Sequence, residues 1–137
     1  LGELWNPTEG WGLTTDGRQL IASDGSAYLY FMDERFGLDR KQLVTIEGRP
    51  VRWLNELEYI DGRIWANVYT SDEIVIINPK NGKVEGVIDC TGLLPYSLRT
   101  SDTDVLNGIA YDSRTEKIYL TGKNWPRLYE VRLVENK

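Results

Sequence analysis

Six side chains of this sequence have the types needed to hold a small polar molecule: the indole of Trp11, the carboxamides of Asn55 and Asn107, the phenol of Tyr69, the ammonium of Lys123 and the carboxylate of Asp24. An aromatic wall with a few convergent polar groups is the usual make-up of a small-molecule pocket. What the sequence lacks narrows the chemistry further. It contains no histidine and one cysteine, Cys90, so it can assemble neither a His-based catalytic triad nor a tetrahedral zinc site of the usual Cys/His type. The remaining aspartates, among them Asp33, Asp61, Asp102 and Asp112, fit no calcium-loop spacing and read as turn and edge residues. No metal site and no cofactor are therefore expected. The single cysteine also excludes an intramolecular disulfide. A net charge of -5 argues against an electrostatic nucleic-acid surface, and no apolar run is long enough to span a membrane.

These six residues form a group only because the chain repeats. The run from 12 to 20, built around Asp16-Gly17, has the same texture as the run from 56 to 64, built around Asp61-Gly62, and the turns are offset by 45 residues. Asp-Gly between extended runs is a hairpin signal. The apolar strand at 27–33 lies over that at 72–78 at the same offset, and a third copy runs from 106 through 117–121 to 127–133. Fourth strands are expected at 42–46 and 83–88. Five Trp and eight Tyr, against one Met and two Phe, with 13 Gly, describe β-branched and aromatic strands separated by turns. Helix is expected at most as short turns at 36–40 and 94–98, because nothing sustains a 3.6-residue period.

About four antiparallel strands per 45 residues is the pattern of β-propeller blades. The fold expected is all-β: a partial propeller over 1–137, with three blades at approximately 8–50, 51–93 and 102–135. A β-sandwich with a chance repeat is the competing architecture. Three blades are too few to close a ring, so further blades or a second chain are expected to cover the open edges.

In that register Trp11, Asn55 and Asn107 each open an innermost strand, and Asp24, Tyr69 and Lys123 each follow a second strand. Residues in phase across blades meet at one mouth of the channel. Plainer roles exist for most of them. Asn55 and Asn107 could serve local backbone groups at strand ends, Lys123 could be a solvated lysine, and Asp24 in Ser23-Asp24-Gly25 could simply make a tight turn. Trp11, Trp53, Trp65 and Trp125 are most simply packing between blades.

Six motifs then become specific: Glu9-Gly10-Trp11-Gly12-Leu13-Thr14, Ser23-Asp24-Gly25-Ser26, Leu54-Asn55-Glu56-Leu57-Glu58, Ala66-Asn67-Val68, Asp104-Val105-Leu106-Asn107-Gly108-Ile109-Ala110 and Thr121-Gly122-Lys123-Asn124-Trp125-Pro126. In this order they resemble the plant and bacterial type of glutaminyl-peptide cyclotransferase. The resemblance implies a five-bladed propeller, of which this chain looks like the last three blades, and a metal-free conversion of a peptide's N-terminal glutamine into pyroglutamate with loss of ammonia. It implies Asn55 and Lys123 as catalytic residues, with Trp11 and Tyr69 binding substrate, Tyr69 standing where the family more often has Trp. Asn107 joins the binding set by its register.

That chemistry suits these side chains. Ring closure is intramolecular, so orientation supplies much of the gain. Asn55 and Lys123 could donate hydrogen bonds to the developing oxyanion while the rings hold the side chain folded. A proton must also pass from the amine to the departing nitrogen. The family's carboxylate for that task lies in an N-terminal half with no counterpart here, and the motif gives Glu9, Glu56 and Glu58 no such role. The partner expected is a peptide beginning with Gln; the resemblance implies a secreted or periplasmic setting, although Leu1 opens no recognisable signal sequence. A non-catalytic propeller binding module is the alternative. A lactonase-like or sugar-binding propeller would want a metal-ligand cluster, which the sequence does not display.

Overall fold

The computed structural model describes residues 2–3, 5–6 and 8–135. Its strands are β1 (Gly12–Thr15), β2 (Leu20–Ser23), β3 (Tyr28–Met32), β4 (Leu38–Leu43), β5 (Thr45–Ile46), β6 (Arg49–Pro50), β7 (Leu54–Ile60), β8 (Arg63–Val68), β9 (Glu73–Ile77), β10 (Val84–Asp89), β11 (Leu106–Asp112), β12 (Lys117–Gly122) and β13 (Tyr129–Val131). They form antiparallel sheets β1-β2-β3-β4, β7-β8-β9-β10 and β11-β12-β13, with β5-β6 as a separate hairpin. The innermost strands β1, β7 and β11 lie side by side. This is the all-β blade arrangement that the repeat predicts.

The Asp-Gly pairs make two different turns. Asp61 and Gly62, at φ 48° and 79°, form the two-residue connection between paired Ile60 and Arg63, which suits the right-handed twist of the flanking strands. Asp16-Gly17 sits instead in a four-residue loop between paired Thr15 and Leu20. There the Asp16 carboxylate accepts hydrogen bonds from the backbone N–H groups of Arg18 and Gln19, both at 2.8 Å, in the manner of an Asx turn.

Stacking follows from side-chain alternation in the middle sheet. Successive strand residues point to opposite faces, so Ile64, Ala66, Val75 and Ile77 enter a cluster with Ile21, Leu29, Phe31 and Val44 of the first unit. Trp65 and Ile74 enter a second cluster with Cys90, Leu106, Ile109 and Leu120. A sheet buried on both faces reads as a continuous apolar run, which is why 74–77 is Ile-Val-Ile-Ile. Cys90 is a free thiol in the second cluster, its pKa pushed up to about 11 by burial and then by the nearby carboxylates of Asp89 and Asp72.

Three local expectations need correction. The fourth strand of the first sheet is Leu38–Leu43, not 42–46, and it takes up part of the helical turn expected at 36–40. Its partner β3 dictates this, since Tyr28 pairs with Leu43 and Met32 with Leu38. Residues 45–46 turn away to pair with Arg49–Pro50, while the N–H of Thr45 donates to the Gly82 carbonyl at 3.0 Å. The last strand is confined to Tyr129–Val131 within the expected 127–133. A short 3-10 turn does form at Tyr96–Leu98. Among the described residues no helix is long and apolar enough to cross a membrane.

Candidate functional site

Both site asparagines occupy the same irregularity. On β7 the pairing jumps from Leu54↔Val68 to Leu57↔Ala66, so Asn55 and Glu56 together oppose one residue, Asn67. On β11 it jumps from Leu106↔Gly122 to Ile109↔Leu120, so Asn107 and Gly108 together oppose Thr121. Bulges of this kind re-aim side chains and are common beside active sites. Gly108 takes φ 141°, where a side chain would be strained. The fully buried Asn67 supports the second bulge, its Oδ1 accepting the Gly108 N–H at 3.1 Å. Asn55 is buried, and its carbonyl accepts the Ser23 hydroxyl at 2.6 Å. The Asn107 Oδ1 is buried and without a hydrogen bond among the described residues.

The aromatic and cationic residues form a row. Trp11 precedes β1, with its N–H on the Ser23 carbonyl at 3.1 Å. Its indole lies over Gly25, where a Cβ would come within 2.7 Å of the ring. Gly25 at φ 84° thus provides both the turn and the close approach. Tyr69 meets Trp11 edge to face, ring centroids 5.4 Å apart at 72°. The Lys123 Nζ stands 4.7 Å from the Tyr69 ring centroid, within cation–π range. Trp53 flanks Trp11 on another side, with centroids 6.4 Å apart.

The loop carrying Lys123 is fixed by its backbone. The Lys123 N–H donates to the Val105 carbonyl at 2.9 Å, and its carbonyl accepts the Asp104 N–H at 3.1 Å. The indole N–H of Trp125 donates to the Asp104 carbonyl at 2.9 Å. Lys123 itself is exposed, so it is at once a solvated lysine and a neighbour of the Tyr69 ring.

Of the sequence-predicted residues, Trp11, Tyr69 and Lys123 are brought together by ring contacts, and Asn55 and Asn107 share one bulge position on neighbouring inner strands. Asp24 does not join them as a reacting group. It takes the turn role: its Oδ1 accepts from the Ser26 N–H and hydroxyl, its Oδ2 from the Tyr30 hydroxyl. Trp65 is core and Trp125 is half-buried, but Trp53 is not packing between blades, being 54% exposed.

The sequence motif gives Glu56 no acid/base role, and its place in the fold is a seam contact. Its Oε2 accepts the Ile109 N–H at 2.7 Å across the seam between inner strands. Burial, with a smaller contribution from the Glu58 carboxylate, raises its pKa to about 7 despite that hydrogen bond. Its sequence signal is its adjacency to Asn55. Among the described residues no three His, Cys, Asp or Glu side chains lie together as a metal site.

The chain is similar to known proteins over nearly its whole length. It is 47% identical over 128 residues to the glutaminyl-peptide cyclotransferase of Arabidopsis thaliana, an alignment covering 91% of this chain and 40% of that protein. Its structure matches the crystal structure of Myxococcus xanthus glutaminyl cyclase with a TM-score of 0.87 and 39% identity, covering 94% of this chain and 57% of that one. A streptogramin B lyase structure shares the fold at a TM-score of 0.50 and 16% identity, over 96% of this chain and 43% of its own. The chain thus spans well under two thirds of the length of the cyclase relatives. With the glutamine cyclotransferase family model matching residues 2–133, this chain belongs to the glutamine cyclotransferase family.

Proposed function

We propose that this chain contributes most of the substrate pocket of a glutaminyl-peptide cyclotransferase, which closes the N-terminal glutamine of a peptide into pyroglutamate. The observation that carries this reading is the row Trp11–Tyr69–Lys123, beside asparagines presented by equivalent bulges. The α-amine nitrogen attacks the γ-carboxamide carbon, a five-membered lactam forms, and the carbon–nitrogen bond to the leaving ammonia breaks. One proton passes from the attacking nitrogen to the departing one.

Each residue has a task in that sequence. Trp11 and Tyr69 hold the glutamine side chain folded over its own amine and keep water from the carbonyl, which brings the reacting atoms into attack geometry. Asn55 and Lys123 donate hydrogen bonds to the oxygen as it gains charge. Asn107 joins the binding set through the bulge it shares in position with Asn55. These steps use hydrogen-bond donors and a carboxylate, without a metal. The carboxylate that carries the proton belongs to blades outside this chain, as the family resemblance implies. A secreted or periplasmic setting accompanies the same reading.

Ammonia release from a Gln-initiated dipeptide tests it, measured with this chain alone and with the upstream blades supplied. Turnover only in the second case is expected. In the full-length protein, Lys123→Ala and Asn55→Ala should each lower kcat/KM by at least about tenfold, about 1.4 kcal/mol of transition-state stabilisation. Unchanged kcat/KM in both variants would remove the assignment, and tight peptide binding without turnover would favour a binding module.

A further inference from the structure

Trp53 combines two features that packing alone does not explain. Its backbone sits at φ 68°, the left-handed region that bulky residues avoid. Two hydrogen bonds hold it there: its N–H donates to the Gly25 carbonyl at 3.0 Å, and its carbonyl accepts the Tyr69 N–H at 2.8 Å. The result of that strain is a tryptophan more than half exposed at the end of the aromatic row opposite Lys123. Backbone strain of this sort is concentrated at ligand clamps.

Trp53 also borders a cavity of about 330 Å³, together with Gly25, Tyr28, Leu43, Pro50 and Arg52. Gly25 and Trp53 border this cavity and also touch Trp11, so the cavity adjoins the aromatic row. The walls are mostly apolar, while Arg52 is exposed and Lys41 stands 4.2 Å over the Tyr28 ring.

We infer that this cavity is the subsite for the second residue of the peptide, with Trp53 stacking on an apolar or aromatic side chain immediately after the glutamine. This rests on the reading of the adjoining site as a glutamine pocket. A glutamine laid against the joined faces of Trp11 and Tyr69, with its carboxamide toward Lys123, sends the rest of its chain toward the other end of the row, where Trp53 stands. Arg52 and Lys41 make the rim positive, so acidic residues are favoured over basic ones further along the peptide.

The experiment uses full-length protein and two readouts. In the first, kcat/KM is compared for Gln-Phe and glutamine amide. The wild type should prefer Gln-Phe, and Trp53→Ala should shrink that preference by about tenfold, beyond any loss common to both substrates. In the second, calorimetry compares pyroglutamyl-Phe with pyroglutamyl amide, which needs no turnover. The aromatic peptide should bind about tenfold more tightly, and Trp53→Ala should erase the difference. Arg52→Glu, which leaves the strained tryptophan in place, should reverse a preference for pyroglutamyl-Phe-Glu over pyroglutamyl-Phe-Lys. Equal binding of the two shorter peptides by the wild type, or binding of neither, overturns the subsite. Discrimination in binding without cyclisation of either Gln-Phe or glutamine amide keeps the subsite and overturns the cyclase reading.

Discussion

The seam between the first and second sheets is tied mainly by hydroxyls and carbonyls, with one carboxylate contact, Glu58 accepting the Thr14 hydroxyl at 3.4 Å. Ser23 donates to the Asn55 carbonyl, Tyr59 donates its N–H to the Thr14 hydroxyl at 3.2 Å, and Gly12 lies flat against the Asn55 carbonyl. The seam between the second and third sheets is tied by carboxylates instead, Glu56 accepting from the Ile109 N–H and Glu58 from the Tyr111 N–H at 3.0 Å. The two seams solve one problem, backbone groups left unpaired where one sheet's inner strand meets the next. Only the second does it with a carboxylate that burial raises to a pKa of about 7, that of Glu56. Trp11 and Asn55 stand at the neutral seam, whereas Asn107 lies beside the acidic one.

Gly12→Ala should break the neutral seam. Its Cβ would overlap the Asn55 carbonyl, which is backbone and cannot turn aside. Overpacking of this kind should cost about 3 kcal/mol in urea unfolding, and a cost below about 1 kcal/mol would show that the inner strands can part freely.

The acidic seam predicts a pH effect. The Glu56 pKa is raised on folding from 4.5 to about 7, so the folded state binds the extra proton between those values. Stability therefore falls as pH rises through that window and levels off above it. Glu56→Gln keeps an oxygen acceptor for the Ile109 N–H without the charge. It should raise stability at pH 8 by on the order of 2 kcal/mol and flatten the decline; thermal melts from pH 4.5 to 8 on both proteins provide the check, and parallel curves would mean that Glu56 is not the titrating group.

Ser23→Ala should do least. It removes one buried hydrogen bond, about 1 kcal/mol. That loss should be the same at pH 5 and pH 8, and a pH-dependent loss would erase the contrast between the seams.

The blade pattern was legible because burial on both faces of the middle sheet forces unbroken apolar runs, and because Asp-Gly turns punctuate them at one period. The same register put the site asparagines in phase, though it could not reveal the bulges. A bulge is a mismatch with a partner strand, and neither Asn55-Glu56 nor Asn107-Gly108 records that in its own residue types. The position of β4 was hidden for a related reason. Leu38-Asp39-Arg40-Lys41-Gln42-Leu43 is mostly polar and solvent-facing, so pairing with β3 alone defines it. Trp53 misled because a tryptophan's type predicts burial, and only the two backbone clamps from Gly25 and Tyr69 turn it outward. Glu56 gives no sign in sequence that its carboxylate spans to the next sheet, since its partner is a backbone N–H 53 residues away.

Cys90 gives the molecule a built-in clock. Its thiol is shielded in the cluster shared by the second and third sheets and stays protonated at neutral pH, so an alkylating reagent has no thiolate to attack while that cluster is closed. As the sole cysteine of the chain, its labelling rate counts the moments at which those two sheets separate, and it does so for the carboxylate seam while the hydroxyl seam stays silent.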